Sequence, residues 1–369
     1  MGDKSKIEWT EATWNPIVGC SVVSPGCVNC YAMKMAARIE KMTPGSHYAG
    51  TTQPSRAGAV WTGKVALAPD RVLTAPLRWK RPRKIFVNSM GDLFHESVPD
   101  AWIDRVFAVM QRARRHTFQI LTKQSARMRA YMSALYADAD SENRRWFDRG
   151  SCWPLGNRDE MARSAVAPFP NVWLGVSAED QARADERVPD LLATPAAVRF
   201  VSAEPLLGEI DFRNIKPVDR YEIDALTGYD FDQGTVGVRL DWIIVGGESG
   251  PHARPMHPGW SRSILAQCEA ANGDFFKKQW GEWKPVSQMT EAEIDACYDP
   301  RPERHPDAAR RPRVQTCVLH LDGTRFVEAA ARGAYAAGSG AMAMFRVGKR
   351  RAGRRLDGVE HNGFPEPRT

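Results

Sequence analysis

Ile85-Phe86-Val87, a helically spaced segment running from Pro99 to residue 115, and then Phe118-Gln119-Ile120-Leu121 are the stretch from which the fold is read. The two apolar runs are short, rich in β-branched and aromatic residues, and show little alternation of polar with apolar. Such runs fit strands buried on both faces, the situation of a parallel sheet. Pro99 falls where a helix begins, a position at which a missing N–H costs least. The stretch predicts one strand–helix–strand unit.

Working outward, the same theme recurs. Val172-Trp-Leu-Gly-Val176, Val198-Arg-Phe-Val201, Trp242-Ile-Ile-Val245 and Phe275-Phe276 read as further strands, with helices at 125–137, 179–193 and 258–272. On the N-terminal side, residues 7–19 contain the first strand. Tyr31, Met35, Ala36 and Ile39, with Lys34, Arg38 and Lys41 outside, predict an amphipathic helix from Cys30 to Met42 that Thr43-Pro44-Gly45 ends. About seven βα units in roughly 280 residues imply an α/β fold, a full or partial TIM-type (β/α) barrel. A doubly wound open sheet is the alternative topology. Polar residues at successive strand ends favour the barrel, because they would meet at one mouth. Residues 44–83 read as an insertion with short elements. Beyond Trp283 the pattern breaks down. Residues 298–313 are irregular, Val318–Phe326 forms a hairpin turning at Asp322-Gly323, and 284–369 make a small basic appendage on a barrel of residues 1–283.

Of the 369 residues, 43% are hydrophobic and 26% charged, the balance of an ordinary globular protein. No apolar run reaches the roughly 18 residues of a membrane span, and the start Met-Gly-Asp-Lys-Ser-Lys lacks a signal-peptide core. The initial Met-Gly is a weak lipidation signal, because folded-type sequence follows at once. The expectation is a cytoplasmic protein without a membrane. The formal charge of +7 is concentrated near Arg346, Lys349, Arg350, Arg351, Arg354 and Arg355, which suits either a polyanionic partner or a solvated tail.

Seven cysteines are an odd number and do not form a disulfide framework. Cys152, Cys268, Cys297 and Cys317 are isolated. Cys20, Cys27 and Cys30 fall within eleven residues of a Gly- and Pro-punctuated loop just ahead of the first helix. Cys27-x-x-Cys30 is a half-site common to zinc and to iron–sulfur centres. A zinc reading lacks a fourth ligand, since His47 has no partner, whereas three thiolates without a fourth suit a cluster with one open iron.

Asn15-Pro16-x-x-Gly19-Cys20 followed by Gly26-Cys27-x-x-Cys30-Tyr31-Ala32 resembles the cluster loop of radical S-adenosylmethionine enzymes, most closely the branch containing spore photoproduct lyase. The family pattern is Cys-x-x-x-Cys-x-x-Cys. Six residues separate Cys20 from Cys27 here, and Asn29 stands where an aromatic residue is common. A second resemblance spans most of the chain. Ile7-Glu-Trp-Thr10, Asn88-Ser-Met-Gly-Asp-Leu-Phe-His95, Leu121-Thr-Lys123, Gly175-Val-Ser177, Ser202-Ala-Glu-Pro-Leu206, Gly246-Gly-Glu-Ser-Gly250, Lys278-Gln-Trp-Gly-Glu282 and the block Val347–Asp357 are similar to a family of phage- and prophage-encoded proteins with the same three-cysteine loop.

These resemblances imply a [4Fe-4S] cluster on Cys20, Cys27 and Cys30, with S-adenosylmethionine on the open iron and an electron donor for the cluster. Phage encoding would place the protein in the host cytoplasm. The strand-end polar residues then become candidates for the cofactor site. Asn88, Ser89, Asp92, Ser177, Glu179, Gly246, Gly247 and Glu248 are expected to bind the cofactor, and Lys123 and Glu204 to serve catalysis, with Lys123 facing the cofactor's carboxylate. Each of these also has a plainer reading as a cap, a turn residue or a buried hydrogen-bonded group. His252, Arg254 and His257 could meet an anion. Trp9, Trp14, Trp280 and Trp283 could stack a base, although core packing is the commoner role of tryptophan. The similarity to photoproduct lyase, phage encoding and the basic tail lean toward DNA, RNA or a nucleotide as substrate. The rival from another class is a non-catalytic, zinc-stabilised nucleic-acid-binding or phage accessory protein. A cluster enzyme that does not use S-adenosylmethionine is the third possibility.

Overall fold

The computed structural model describes residues 5, 7–56, 58–137, 168–218, 221–300 and 310–366. Its centre is a seven-stranded sheet, parallel throughout, that curls into a half-barrel. The strands are β1 (Ala12–Trp14), β2 (Lys84–Val87), β3 (Thr117–Thr122), β4 (Val172–Ser177), β5 (Val198–Ala203), β6 (Trp242–Gly246) and β7 (Asp274–Gln279). They lie side by side in chain order. A doubly wound sheet reverses strand order at a switch point. No reversal occurs across these seven strands, so the barrel-type winding is the one adopted.

The helices expected from periodicity are present. They are α1 (Tyr31–Met42), α2 (Asp100–Arg112), α3 (Ser125–Ala137), α4 (Gln181–Leu192) and α5 (Pro258–Ala270). Asp180 caps α4 by accepting from the Arg183 N–H at 2.9 Å. Residues 44–83 form the expected insertion, with a hairpin of 52–55 and 58–61 and two four-residue helices. Residues 207–241, for which the sequence predicts no element, contain a small three-stranded sheet between β5 and β6. Cys152 lies outside the described residues.

Alternation within each strand divides the apolar side chains between two layers. Ile85, Val87, Phe118, Ile120, Leu174, Val176, Val201, Ile243 and Val245 join the cluster packed against the helices. Phe86, Trp173, Val198, Phe200, Trp242, Ile244 and Phe276 face the concave side with Trp9, and they fill it. The strands are apolar on both faces, which is why their sequences read as unbroken runs.

The C-terminal region contains a four-stranded antiparallel sheet of β8 (Trp283–Pro285), β9 (Thr316–Leu319), β10 (Arg325–Val327) and β11 (Met342–Arg346). The expected hairpin is β9–β10. The chain then returns to the half-barrel. Asn362 bridges Phe276 on the β7 edge, the Lys277 N–H donates to the His361 carbonyl at 3.1 Å, and the Gly363 N–H donates to the Phe275 carbonyl at 2.9 Å. Phe364 packs on Trp242 and Trp173 at ring distances of 4.7 and 5.1 Å and closes the concave side from below. The last residues are thus a strap across the barrel edge. Among the described residues, no helix is long and apolar enough to cross a membrane.

Candidate functional site

The ends of β2 to β7 and the cysteine loop enclose a cavity of about 430 Å³, within the range of small-molecule sites. Its floor is the upper end of the inner aromatic layer, Trp9 and Phe86, whose rings are 4.9 Å apart. Its walls are polar because each strand ends there and turns.

Three groups of hydrogen bonds pin the loop that carries the cysteines. Entering it, the Asn15 Oδ1 accepts from the Ser89 hydroxyl at 3.1 Å and from the Met90 N–H at 3.0 Å, which ties the loop to the end of β2. Gly19 follows at φ +92°, and a Cβ there would fall 2.0 Å from the Lys64 carbonyl oxygen. The glycine ahead of Cys20 is therefore a backbone requirement. From the β4 side, Glu179 accepts from the Gly26 N–H at 2.9 Å and from Arg187 at 3.2 Å. Both side chains of that pair are nearly inaccessible, at 1% and 2% exposure. Burial pushes the Glu179 carboxyl up, but the Ser24 hydroxyl, the Gly26 N–H, Lys123 and Arg187 outweigh it and hold it below the usual carboxylate range. From the β6 side, Glu248 takes a two-pronged bond from Arg254 at 2.6 and 3.0 Å and accepts from the Asn29 amide at 3.0 Å. Arg254 also reaches the Pro25 carbonyl at 2.9 Å.

The loop held in this way presents Cys20, Cys27 and Cys30 to one cavity. All three are free thiols. Burial, reinforced by Asp92, pushes the Cys20 thiol well up. Burial also raises Cys30, opposed by the Ala32 and Met33 N–H groups at the start of α1 and by the Lys123 ammonium. Among the described residues, no three His, Cys, Asp or Glu side chains converge on a single-ion centre. The donor set is thus three sulfurs around one end of a cavity, without a closed tetrahedral site. A structural zinc needs four ligands on one point, whereas cysteine ligands of a cluster sit on separate irons.

In the same cavity, Glu204 pairs with Lys278 at 2.7 Å and accepts from the Gln279 amide at 3.2 Å. The Gln279 Oε1 is buried without a partner. Lys123 lines the wall with no ion pair among the described residues, and its charge acts on both Cys30 and Glu179. Ser21, next to Cys20, lies 2.8 Å from the His95 Nε2. The His95 Nδ1 accepts from the Ser97 N–H at 3.1 Å, so in neutral His95 the Nε2 carries the proton and donates to Ser21.

Of the residues singled out from the sequence, Cys20, Cys27, Cys30, Asn88, Ser89, Asp92, Lys123, Ser177, Glu204, Gly247 and Glu248 all line the cavity. Glu179 does not. It holds the loop from behind. Gly246 does not line it either, since a Cβ there would come within 3.0 Å of the Glu204 carboxylate carbon. A Cβ on Gly247 would meet the Trp280 carbonyl at 2.1 Å, so Gly247 is needed for close packing of strand ends. Asp92 lines the wall but is saturated by Thr122 at 2.6 Å and by the Lys123 and Phe94 N–H groups at 2.9 and 3.0 Å. Asn88, at φ +59°, lies against the Ile17 backbone.

The other candidates, Trp9 excepted, lie outside the cavity lining, and Trp14, Trp280 and Trp283 take the commoner core role. His257 caps α5 and bonds the Gly340 carbonyl at 2.7 Å, away from the cavity. Trp14, Trp280 and Trp283 are core residues whose indole N–H groups donate to Val72, Arg355 and Ala253, and Trp9 alone of the four reaches the cavity. His47 stacks on Tyr48 at 4.6 Å outside the cavity lining. The sequence reading missed Lys278, Gln279 and Lys349 as lining residues. It stopped the last strand at Phe276, although Asp274–Gln279 is one six-residue strand whose polar end reaches the mouth.

No curated protein and no solved structure matches the chain. The sequence profile of a family described as protein of unknown function (DUF5131) matches residues 4–365, and the chain belongs to that family.

Proposed function

We propose that Cys20, Cys27 and Cys30 hold a 4Fe–4S cluster with one iron open to the cavity, and that the protein is an enzyme of the radical S-adenosylmethionine kind. The observation that carries this reading is three thiols on one loop, lining a cavity at the strand ends of a half-barrel. Bound there, the cluster supplies one-electron reduction of S-adenosylmethionine and so opens radical chemistry on a C–H bond. The protein's own part is positional. Glu179 with Arg187, and Glu248 with Arg254, fix the loop. Lys123, which has no ion pair among the described residues, would place a cation beside a carboxylate in the cavity. Trp9 and Phe86 close the floor against water. Glu204, paired with Lys278, offers an oriented donor and acceptor in the same cavity.

An anaerobic preparation tests the reading through iron, sulfide and zinc content, the broad visible absorption of a cluster, and 5′-deoxyadenosine formed on adding S-adenosylmethionine and dithionite. Iron and sulfide in equal amount with nucleoside release is the expected result. A colourless, zinc-loaded chain would favour the accessory-protein reading and overturn this one. Cys20→Ala addresses the unusual spacing, with loss of the cluster absorption as the expected outcome.

A further inference from the structure

The mouth of the cavity carries features that loop fixation and cluster binding leave unused. Tyr31 is 55% exposed, yet its hydroxyl donates to the Ser89 carbonyl at 3.0 Å. An aromatic ring that is exposed and also held in place is a stacking platform, since its ordering cost is already met in the free protein. One turn further along α1, the exposed Lys34 has no ion pair among the described residues. Lys349 reaches the same cavity from the C-terminal region, 3.8 Å from Glu8, and the exposed Arg350 beside it has no ion pair among the described residues. Much of the remaining basic cluster is used internally. Arg346 bonds the Gly250 carbonyl and Arg354 the Lys277 carbonyl, which leaves Lys349, a lining residue with one long contact to Glu8, and its exposed chain neighbour Arg350. Inside, the buried acceptor Gln279 Oε1 has no partner.

A held aromatic platform, rim cations and a polar-edged interior match a ligand with a planar base and a phosphate. We propose that the mouth binds a nucleotide, free or within a single strand, with its base on Tyr31 and its phosphate at Lys349 and Arg350. A base paired inside a duplex offers Tyr31 no free face. The inference names the substrate class for the function proposed above and rests on that reading for its purpose, but the binding itself requires no cluster.

The test is fluorescence anisotropy of a labelled oligothymidylate with the full chain at about 50 and 200 mM salt, a range in which phosphate contacts weaken. Lys349→Glu with Arg350→Glu is expected to weaken binding at least tenfold at the lower salt. It should also flatten the log–log salt slope by roughly 0.7, the value for the one phosphate held there. Tyr31→Ala is expected to weaken it by about 5- to 100-fold, the range of a lost base stack. Tyr31→Phe keeps the ring but frees it from Ser89, and it is expected to lose much less than Tyr31→Ala, which separates stacking from damage to the loop. Competition by thymidine monophosphate as effective as by unlabelled strand assigns a free nucleotide, and competition by strand alone assigns a strand. No binding, or binding unchanged by both the charge and the Tyr31→Ala variants, overturns the proposal. Iron and sulfide assays on the same preparation keep the two readings apart. A cluster-free chain that binds the strand sinks the enzyme reading alone, and a cluster-loaded, S-adenosylmethionine-cleaving chain that does not bind it sinks this one alone.

Discussion

Glu179 takes an ion pair out of water in order to hold a loop, and its side chain and that of Arg187 are exposed by only 1% and 2%. Desolvating two charges is expensive, and Gly26, Ser24 and the Ser177 carbonyl offset part of that cost with further hydrogen bonds, although the Arg187 Nε–H has none among the described residues. Glu179→Gln keeps an acceptor for Gly26 but leaves the guanidinium uncompensated. The expected cost is about 3 kcal/mol, read from the midpoint of urea unfolding. Adding Arg187→Met should recover part of it, because the stranded charge is then gone. A Glu179→Gln midpoint equal to that of the parent would show that the pair contributes nothing. The pH dependence follows from the lowered folded pKa. The contribution is fully present above the unfolded carboxylate value of about 4.3, and it is lost as pH falls through the folded one.

At the scale of elements, the C-terminal strap and the cysteine loop are two largely irregular segments that the half-barrel fixes from outside. The strap pairs with the free edge of β7 and so covers a row of N–H and C=O groups that would otherwise template aggregation. Its anchor is Phe364, against Trp173 and Trp242, with the Lys84 ammonium 3.5 Å from the ring centroid. Phe364→Ala is expected to cost on the order of 2 kcal/mol, less than a fully buried phenylalanine because this ring is half-buried. Removing residues 359–369 should cost more and should raise light scattering on mild heating. A truncated chain as stable and as monodisperse as the parent would show that the edge needs no cover. In the cysteine loop, Arg254→Met removes the bonds to Glu248 and Pro25 together. It should lower metal or cluster retention during gel filtration while leaving the far-ultraviolet circular dichroism unchanged, and retention equal to the parent's would contradict the anchoring role.

The half-barrel has an apolar layer on either side of its curled sheet, and a buried lysine interrupts the outer one. Lys277 is fully buried, with its ammonium nitrogen 3.3 Å from the Ser261 hydroxyl, 3.8 Å from the Met256 sulfur and 3.9 Å from the Trp280 ring centroid. Burial pushes its pKa well below the ordinary lysine value, against a smaller opposing pull from Glu204. The unfolded chain therefore binds more protons than the folded one in the window between the lowered value and about 10.4, and stability should rise with pH there. Lys277→Met is close to volume-conserving and places a thioether beside Met256. It is expected to raise Tm by a few degrees at pH 7 and to flatten the rise of Tm between pH 7 and 10, followed by calorimetry. A lower Tm at both pH values would mean that the amine's hydrogen bonds outweigh its desolvation.

The sequence by itself determined the strand and helix segments and the position of the loop, while the strand order of the tertiary structure chose the barrel winding over the doubly wound one. Ile85-Phe86-Val87, Phe118–Leu121 and their counterparts read as strands because burial on both faces leaves no polar alternation, and the intervening segments carry helical spacing. The three cysteines stand out through spacing alone. Tertiary structure alone decided which strand residues look inward, since Ile85 and Phe86 are equally apolar yet belong to opposite layers. It alone separated lining residues from supports. Glu179 meets Gly26 across 153 positions and Arg254 meets Pro25 across 229, contacts that no local pattern encodes. Gly246 and Gly247 were legible as special positions, but the reason, close approach to Glu204 and to the Trp280 carbonyl, lies on neighbouring strands. A chain's local pattern fixes where it is extended or helical, and the partners of a buried charge are chosen only when the strand ends come together.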